Sequence, residues 1–323
     1  MTTLQSIHQS IAPELEQLHQ VIRKQLSTSN PLMDKVVDNY LKTKGKLIRP
    51  IIVMLTARML GQVNERVLAA AASVELLHNA SLIHDDIVDN SATRRGEPTI
   101  NAVWDNHIAV LVGDFFVSSS MQQAISTGDV RIIDALCHLG KLLSLGELDQ
   151  IYSARYHTLT EESYYQIINY KTASLFVACA QMGCYALNVD DERMNVLSRF
   201  AELLGLCFQI RDDVFDYFDT NEQLGKPTGN DLREGKITLP LLHVLLETGN
   251  EEMIELSRKE NLTADDISIL VDFTRCNGGI DYAYSQMNNM RNEAVALLTE
   301  TFPPSEQRRM LIDLFDYIIA RHY

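Results

Sequence analysis

Apolar residues recur every three or four positions along most of this sequence, and that spacing restricts the chain to packed helices. Pro13 lies inside the first such run and predicts a kink or a restart of the helix there. Residues 27–31 (STSNP) then predict the end of one helix and the cap of the next. The apolar positions of this first run are Leu4, Ile7, Ile11, Leu15, Leu18, Ile22 and Leu26.

The same spacing predicts further helices over residues 67–87, 108–125, 132–152, 163–187, 194–218, 239–246 and 283–298. Only 15 Gly and 8 Pro occur in 323 residues, and the sequence contains no alternating strand pattern, no repeat and no Gly-, Pro- or Ser-rich linker. We therefore expect an all-α helical bundle that forms a single domain over residues 1–323. The N-terminal helix, about residues 1–28, is expected to pack on the bundle or on a dimer partner.

The overall charge excludes one class of partner. The sequence has 28 Lys and Arg against 43 Asp and Glu, which gives a net charge of −15. A nucleic-acid-binding protein needs positive charge facing phosphates, so nucleic acid is not an expected partner. Hydrophobic residues make up 46% of the chain, which is typical of a globular protein and excludes global disorder.

The cysteines and the N-terminus favour a cytoplasmic protein. The five cysteines form no CxxC pair, so reduced thiols are expected rather than a disulfide framework or a zinc site. The N-terminus lacks the basic and apolar regions of a secretory signal. The most apolar stretch, residues 67–83, contains Glu75 and His78, so no membrane span is expected.

Two acidic boxes lie on predicted helices, each directly after an apolar stretch. Positions i, i+1 and i+4 place three carboxylates on one side of a helix that emerges from the core. Such crowded, partly desolvated carboxylates repel one another, and a divalent cation relieves that repulsion. Mg²⁺ prefers oxygen ligands and is often shared with phosphates, so the boxes predict a metal site. The predicted ligands are Asp85, Asp86 and Asp89 in the first box and Asp212, Asp213 and Asp216 in the second.

A solvated acidic surface is the alternative for any single acidic run, and this chain contains two comparison cases. Residues 190–192 (DDE) follow an evident turn and predict a helix cap, and residues 263–266 (TADD) fit a capping box. The two boxes differ because each lies in an apolar helix and each is followed by a basic loop, which favours metal binding.

Basic residues lie near the boxes or within apolar stretches: Lys46, Arg49, Arg94, Arg95, Lys171, Lys226 and Lys236. Lys46 and Arg49 are three positions apart at a predicted helix start, where a helix attracts anions, although a solvated helix start is the alternative for this pair. Lys171 lies among apolar residues and needs an anionic partner. Acids that hold Mg²⁺ beside basic side chains predict a diphosphate site.

His78 lies two helical turns before Asp85 on nearly the same face. Glu75 and His78 have the ExxH spacing of di-iron bundles, but the sequence has no second ExxH pair, which disfavours an iron-storage bundle. A core histidine bonded to a neighbour remains open for His78.

In their order along the chain, these motifs resemble those of the trans-isoprenyl diphosphate synthase (polyprenyl synthetase) family, long-chain type. The resemblance runs from about residue 33 to the C-terminus. It implies an all-α isoprenoid synthase-type bundle around a deep central cavity, a homodimer and a cytoplasmic Mg²⁺-dependent prenyltransferase. It rests on residues 45–50 (GKLIRP), 82–89 (LIHDDIVD), 94–96 (RRG), 113–114 (GD), 171–172 (KT), 208–216 (FQIRDDVFD), 225–227 (GKP) and 231–236 (DLREGK).

The resemblance also implies roles for the candidate residues. The six aspartates would hold about three Mg²⁺ against an allylic diphosphate. The side chains that would contact the allylic diphosphate are Arg94, Lys171, Lys226 and Lys236. Those that would hold the diphosphate of isopentenyl diphosphate are Lys46, Arg49, His78 and Arg95. Thr172 and Gln209 would line the position of the allylic cation.

The implied reaction ionises the allylic C–O bond, joins the cation to the alkene of isopentenyl diphosphate and releases a proton to the departing diphosphate. No dedicated general base is therefore expected. Mg²⁺ and basic side chains would neutralise the leaving group as its charge develops. The primer would be farnesyl, geranyl or dimethylallyl diphosphate, and the product an all-trans chain of roughly C30–C50 for quinone side chains, with transient membrane contact on product release.

Product length is expected to depend on the helix that carries the first box. In this family, aromatic side chains four and five positions before the first aspartate stop growth early. Here Ser81 and Ala80 occupy those positions, with Leu77 one turn further. Val117 and Met121, after the Gly-Asp motif, are the candidate floor of the tunnel. The alternative is that Ala80 and Ser81 are small only because a neighbouring helix packs closely there, and that they do not set product length.

Other functions remain open on the sequence alone. A terpene cyclase would lack the isopentenyl-side cluster of Lys46, Arg49 and Arg95 and would carry a different second box. A shorter-chain geranylgeranyl or farnesyl diphosphate synthase is a second alternative. A non-catalytic subunit of a heteromeric synthase would usually lose the acidic boxes, which are intact here.

Overall fold

The computed structural model of the chain describes residues 3–42, 46–94, 96–218 and 228–321, which are almost entirely helical. The all-α prediction is confirmed. The chain divides into two compact units. Unit 1 contains the residues up to Lys141 together with Leu175–Ala201 and Leu298–Leu314, and unit 2 contains Leu142–Ser174, Glu202–Leu297 and the residues from Phe315 onward. The single-domain organisation stays a prediction.

The N-terminal helices follow the predicted breaks. The chain interrupts its first helical run at Ile11, and Pro13 lies at the start of the second helix. The side-chain oxygen of Asn30 accepts hydrogen bonds from the backbone of Leu32 (2.9 Å) and Met33 (3.2 Å), so it caps the third helix as expected. These helices are α1 (Thr3–Ser10), α2 (Ala12–Leu26), α3 (Pro31–Lys42) and α4 (Ile48–Leu60).

Helix α5 (Glu65–Val88) forms the core of unit 1. Asn64 caps its N-terminus by accepting a hydrogen bond from the backbone of Val67 at 3.0 Å. Its alanines are buried, which lets neighbouring helices approach closely. Helices α2, α4 and α7 (Asn106–Ser126) pack against it, with the short α6 (Ile100–Val103) preceding α7.

Within the described residues, α5 and α7 are long and apolar enough to cross a membrane by length and composition. This corrects the expectation that Glu75 and His78 exclude such a helix. Of the most apolar 18-residue stretch of α5, 72% is buried, as in the core helix of a soluble protein. In the corresponding stretch of α7, only 39% is buried. Helix α7 therefore leaves much of its apolar surface exposed.

The helix predicted over residues 163–187 is three segments in the structure. They are α9 (Glu161–Ile168), a π-helix (Asn169–Ala173) and α10 (Ser174–Ala186). A π-helical turn contains an extra residue, and apolar spacing alone does not distinguish it from an α-helical turn. The neighbouring helices in sequence are α8 (Val130–Tyr156) and α11 (Asp191–Phe215).

The remaining helices are α12 (Asn230–Arg233), α13 (Leu239–Thr248), α14 (Glu251–Ser257), α15 (Ala264–Cys276), α16 (Gly279–Thr301) and α17 (Glu306–Ala320). In unit 2, α13 and α15 pack together around a buried apolar cluster that includes Leu241 and Leu270. Thr263 and Asp266 form the predicted capping box of α15, and Asp190 accepts a hydrogen bond from the backbone of Arg193 at the start of α11. Both comparison cases from the sequence are thus caps.

A short β-hairpin, which the sequence did not predict, follows the first acidic box. Strands β1 (Thr93–Arg94) and β2 (Glu97–Pro98) pair antiparallel, and Gly96 occupies the turn with a φ of 80°. Two-residue strands are too short to produce an alternating pattern, so the sequence offers no periodic signal for them.

The cysteines are free thiols. Cys179, Cys184 and Cys207 are buried, and burial raises the pKa of each of these thiols well above its usual range. They therefore stay protonated and inert, in agreement with the expected reduced state.

Two glycines of α8 provide a test of how closely its C-terminal half packs. A Cβ on Gly146 would lie 2.8 Å from the backbone nitrogen of Lys171, whereas a Cβ on Gly140 would meet nothing within 4 Å. Gly146→Ala should lower the free energy of unfolding by about 1–3 kcal/mol, because backbone atoms cannot move aside as a side-chain end can. Gly140→Ala should raise it by up to about 1 kcal/mol, since alanine favours the helix. Urea denaturation of both variants measures the difference, and equal effects would contradict the packing argument.

Candidate active site

The first acidic box lies at the C-terminal end of α5. The helix ends at Val88, and the backbone N–H of Asp89 donates to the carbonyl of Asp85 at 2.8 Å. Asp86 is buried, Asp85 is half-buried and Asp89 is exposed. The C-terminal end of a helix carries partial negative charge, so the carboxylates add to a potential that favours a cation.

Arg94 is bound to the first box. Its Nε and Nη2 atoms both lie 2.7 Å from one carboxylate oxygen of Asp86. The segment before the hairpin is fixed to the helix end, because the backbone of Ser91 donates to the carbonyl of Asp86 at 2.9 Å and the hydroxyl of Thr99 donates to the carbonyl of Ser91 at 2.8 Å. The hairpin thereby holds Arg94 at the box, whereas the predicted Arg95 lies outside the described residues.

The predicted isopentenyl-side residues of unit 1 lie on or just before two helices. Arg49 is on the first turn of α4, half-buried, with its guanidinium carbon 5.8 Å from the ring centroid of Phe176. Lys46 is exposed and precedes α4, and His78 is buried within α5. The predicted helix start is confirmed, and the role of these side chains in binding a diphosphate stays a prediction.

The Gly-Asp motif of α7 packs against the helix that carries the first box. A Cβ on Gly113 would lie 2.2 Å from Nε2 of His84, and a carboxylate oxygen of Asp114 lies 3.6 Å from the same atom. His84 immediately precedes Asp85. The motif therefore fixes the approach of α7 to the end of α5, a role that the sequence alone did not assign.

The candidate chain-length residues occupy α5 and α7. Ala80 and Leu77 are buried, and Ser81 is half-buried with its hydroxyl donating to the carbonyl of His78 at 2.8 Å. Val117 is half-buried and Met121 is 45% exposed. Their effect on product length stays a prediction.

The second acidic box lies at the C-terminal end of α11. The helix ends at Phe215, and Asp216 follows directly. The carboxylate of Asp216 accepts hydrogen bonds from the backbone of Asn230 (2.8 Å) and Asp231 (3.0 Å). It therefore caps α12 and joins the box to the basic segment that contains Lys236.

A hydrogen-bonded chain connects Asp213 to the π-helix. The hydroxyl of Tyr164 donates to one oxygen of Asp213 at 2.5 Å, and the amide of Gln209 donates to the other at 2.9 Å. The hydroxyl of Thr172 donates to the side-chain carbonyl of Gln209 at 2.8 Å. Thr172 and Gln209, predicted to line one position, are therefore in direct contact.

Two buried carboxyl groups in this region are easily protonated. Burial raises the pKa of Asp213 to about 7, and the charges of Asp212 and Asp216 add to that effect. Burial likewise raises the pKa of Asp231 to about 8. A divalent cation nearby would favour the deprotonated form of such groups. The sequence assigned no role to Asp231, because no pattern marks it as buried.

Two of the predicted lysines, Lys171 and Lys236, have anionic partners within unit 2. Lys171 forms an ion pair with Glu147 and donates to the side-chain oxygen of Gln150 at 2.7 Å, which supplies the partner expected for a charge among apolar residues. Lys236 forms an ion pair with Glu234 at 2.6 Å. The predicted Lys226 lies outside the described residues.

A cavity of about 280 Å³ lies within unit 2. Five of the predicted site residues line it, namely Lys171, Thr172, Gln209, Asp213 and Lys236. Apolar side chains of α9 and α13 complete its walls, including Ile167, Ile168, Leu242 and Leu245. The cavity lining thus combines charged and polar side chains with apolar ones, which suits an amphiphilic ligand.

The donor chemistry of the boxes fits Mg²⁺, because all the candidate ligands are carboxylates. Among the residues that the structure describes, no group of three or more His, Cys, Asp or Glu side chains is arranged to hold a metal ion. One carboxylate of each box is instead paired with an arginine: Asp86 with Arg94, and Asp212 with Arg321. The ligand type is therefore present, with protein cations beside it.

Comparison with known proteins places this chain in a family. The polyprenyl synthetase family model matches residues 30–273. An octaprenyl diphosphate synthase of Haemophilus influenzae is 32% identical over 100% of this chain and 98% of its own length.

Solved structures agree in fold. A decaprenyl diphosphate synthase of Rhodobacter capsulatus superimposes with a TM-score of 0.91 at 30% identity, covering 98% of both chains. A geranylgeranyl pyrophosphate synthase of Bacteroides thetaiotaomicron superimposes with a TM-score of 0.85 at 36% identity, covering 99% of both chains. The predicted family, fold and enzyme class are confirmed. This chain belongs to the polyprenyl synthetase family and is a prenyltransferase of that family.

Proposed function

We propose that this enzyme condenses isopentenyl diphosphate with an allylic diphosphate by ionisation, condensation and elimination, making an all-trans polyprenyl diphosphate of roughly C30–C50. The observation that carries the proposal is the pair of carboxylate boxes at two helix C-termini, each beside basic side chains, in a chain of this family. Octaprenyl and decaprenyl synthases among the similar proteins support the chain length. Quinone side chains are the proposed use of the product, and the cytoplasm the proposed location.

The six box aspartates are the proposed ligands of about three Mg²⁺. Mg²⁺ bound there would neutralise the diphosphate leaving group as its charge develops. The exposure of Asp89 and the 35% exposure of the Asp212 side chain support this role, because a ligand can reach both carboxylates. Asp213 and Asp216 also hold the box in shape through their hydrogen bonds.

The allylic diphosphate is proposed to be held by Arg94, Lys171, Lys226 and Lys236. Arg94 and Lys171 are each fixed by an anionic partner, so their positive charges are already oriented before a substrate arrives. The bonded pair of Thr172 and Gln209 lines the cavity with oxygen dipoles that suit an allylic cation. The leaving diphosphate itself accepts the proton in the elimination step.

Isopentenyl diphosphate is proposed to be held by Lys46, Arg49, His78 and Arg95. The position of Arg49 on the first turn of α4 supports this role, because a helix N-terminus and a guanidinium together attract a phosphate group.

A second copy of the chain is the proposed partner. Helix α7 exposes Val110, Leu111, Met121 and Ile125. The second half of α8 exposes Leu145, Leu148, Ile151 and Tyr152. Apolar residues exposed at such density mark interaction surfaces, and a homodimer would bury them. A different partner subunit, or transient contact with a membrane, would cover the same residues, and the mass of the purified protein in solution distinguishes the dimer.

The first test concerns the acidic boxes. Asp85→Asn and Asp212→Asn should each lower kcat by about 100-fold or more, because each removes a carboxylate that stabilises developing charge through a cation. The measurement is diphosphate release with Mg²⁺, isopentenyl diphosphate and an allylic diphosphate. Asp190→Asn is the matched control, since Asp190 lies in an acidic run that caps α11. Normal turnover in either box variant would contradict the metal assignment.

The second test separates the two diphosphate sites. Arg49→Ala should mainly raise the KM for isopentenyl diphosphate, whereas Lys171→Ala should mainly impair the allylic substrate or its ionisation. Steady-state kinetics with each substrate varied in turn measures both effects. Identical defects in the two variants would rule out this division of roles.

The third test concerns product length. Ser81→Phe should shorten the product, because an aromatic ring one turn before Asp85 would block a chain that grows along α5. Ser81→Ala is the control and should leave the products unchanged. Extracted products are separated by chain length. A wild type that stops at farnesyl or geranylgeranyl diphosphate would identify a shorter-chain synthase, and a wild type inactive alone would indicate a heteromeric subunit.

A further inference from the structure

The C-terminal end of the described chain is bonded to the second acidic box. Arg321 directly follows α17, and its side chain is 7% exposed. One guanidinium nitrogen, Nη2, donates both to the carboxylate of Asp212 and to the carbonyl of Phe208, the latter at 3.1 Å. The guanidinium carbon also lies 4.0 Å from the ring centroid of Phe208. A buried cation therefore covers one of the candidate metal ligands.

This contact is held in place by the residue that precedes Asp212. Nε and Nη2 of Arg211 donate to the backbone carbonyl of Arg321 at 3.2 and 2.8 Å. Arg211 is itself buried, with its guanidinium carbon 4.4 Å from the ring centroid of Phe215. The end of the chain is thus anchored to α11 through its backbone, independently of the contact between Arg321 and Asp212.

The bond between Arg321 and Asp212 lacks the two-bond geometry of a rigid arginine–carboxylate pair. Structural arginines frequently bind a carboxylate through two parallel hydrogen bonds. Arg291 and Asp316 form such a pair in unit 2, with Nε at 2.8 Å from one oxygen and Nη2 at 3.1 Å from the other. Arg321 uses Nη2 alone, and its buried Nε has no hydrogen-bond partner among the described residues. Asp212 remains 35% exposed, so a ligand has access to it.

The first box has a comparable arrangement within unit 1. Arg94 directs two nitrogens to a single oxygen of Asp86, which is again one carboxylate of a crowded box. In each box, an arginine offsets part of the repulsion among the carboxylates.

We propose that Arg321 is the resting countercharge of Asp212, which it pairs with in the substrate-free enzyme and releases when a divalent cation binds. Arg321 and the cation therefore compete for the same carboxylate. The backbone anchor on Arg211 keeps the chain end in place during the exchange. This inference rests on the proposed function, because it takes Asp212 to be a metal ligand.

The test is calorimetric titration of Mg²⁺, checked by paramagnetic resonance of Mn²⁺, into the substrate-free full-length chain. Asp212→Asn should remove one component of cation binding. Arg321→Gln should tighten that same component by about twofold to fivefold, the range expected when a partly exposed ion pair is removed. Arg321→Met should do the same and keeps apolar contact with Phe208, so it carries the test if the glutamine variant does not fold. Arg291→Gln, which removes a two-bond pair in the same unit, is the control and should bind as the wild type does.

The double variant Arg321→Gln with Asp212→Asn should bind the cation as Asp212→Asn alone does, because Arg321 affects cation binding only through its pair with Asp212. Unchanged or weaker binding in both Arg321 variants would overturn the inference, since weaker binding means that Arg321 positions Asp212 for the metal. If Asp212→Asn alone left cation binding unchanged, Asp212 would not be a metal ligand, and that result would overturn the metal assignment of the proposed function.

Discussion

Carboxylates crowd at the C-terminal ends of two helices, and their mutual repulsion determines how the side chains around both boxes are paired. A helix already carries partial negative charge there, so each box intensifies an unfavourable potential. Buried carboxylates respond either by taking up a proton, as the raised pKa of Asp213 indicates, or by pairing with a cation. The pairs of Asp86 with Arg94 and of Asp212 with Arg321 are the second response.

Helices could be predicted from the sequence where apolar spacing determines them. The π-helix and the short hairpin could not be predicted, because neither changes that spacing. Pro13 and Asn30 marked the helix boundaries near the N-terminus, and both lie where expected. The π-helix at Lys171 escaped prediction, because one extra residue per turn leaves the apolar pattern of the flanking helices intact. The hairpin at Arg94 escaped because its strands have two residues each.

The residue types of the candidate site could be predicted from the sequence, but the partner of each charged side chain could not. Lys171 was expected to need a partner because it lies among apolar residues, but that partner, Glu147, is on another helix and no spacing rule identifies it. Asp231 lies within one of the sequence motifs, but its burial follows from tertiary packing, which no spacing rule indicates. Arg321 belongs to no motif, and its contact requires α17 to end beside α11.

These pairs have a consequence for ligand recognition, given the proposed function. Arg94 and Arg321 are each paired with a box aspartate in the structure, so an isolated anion or cation must break a pair and leave one partner exposed to repulsion. A magnesium–diphosphate ligand supplies both charges at once, since its cation satisfies the aspartates and its anion satisfies the freed basic side chains. Internal pairing therefore weakens binding of single ions more than binding of the complete ligand, which favours the substrate over free phosphate or free metal.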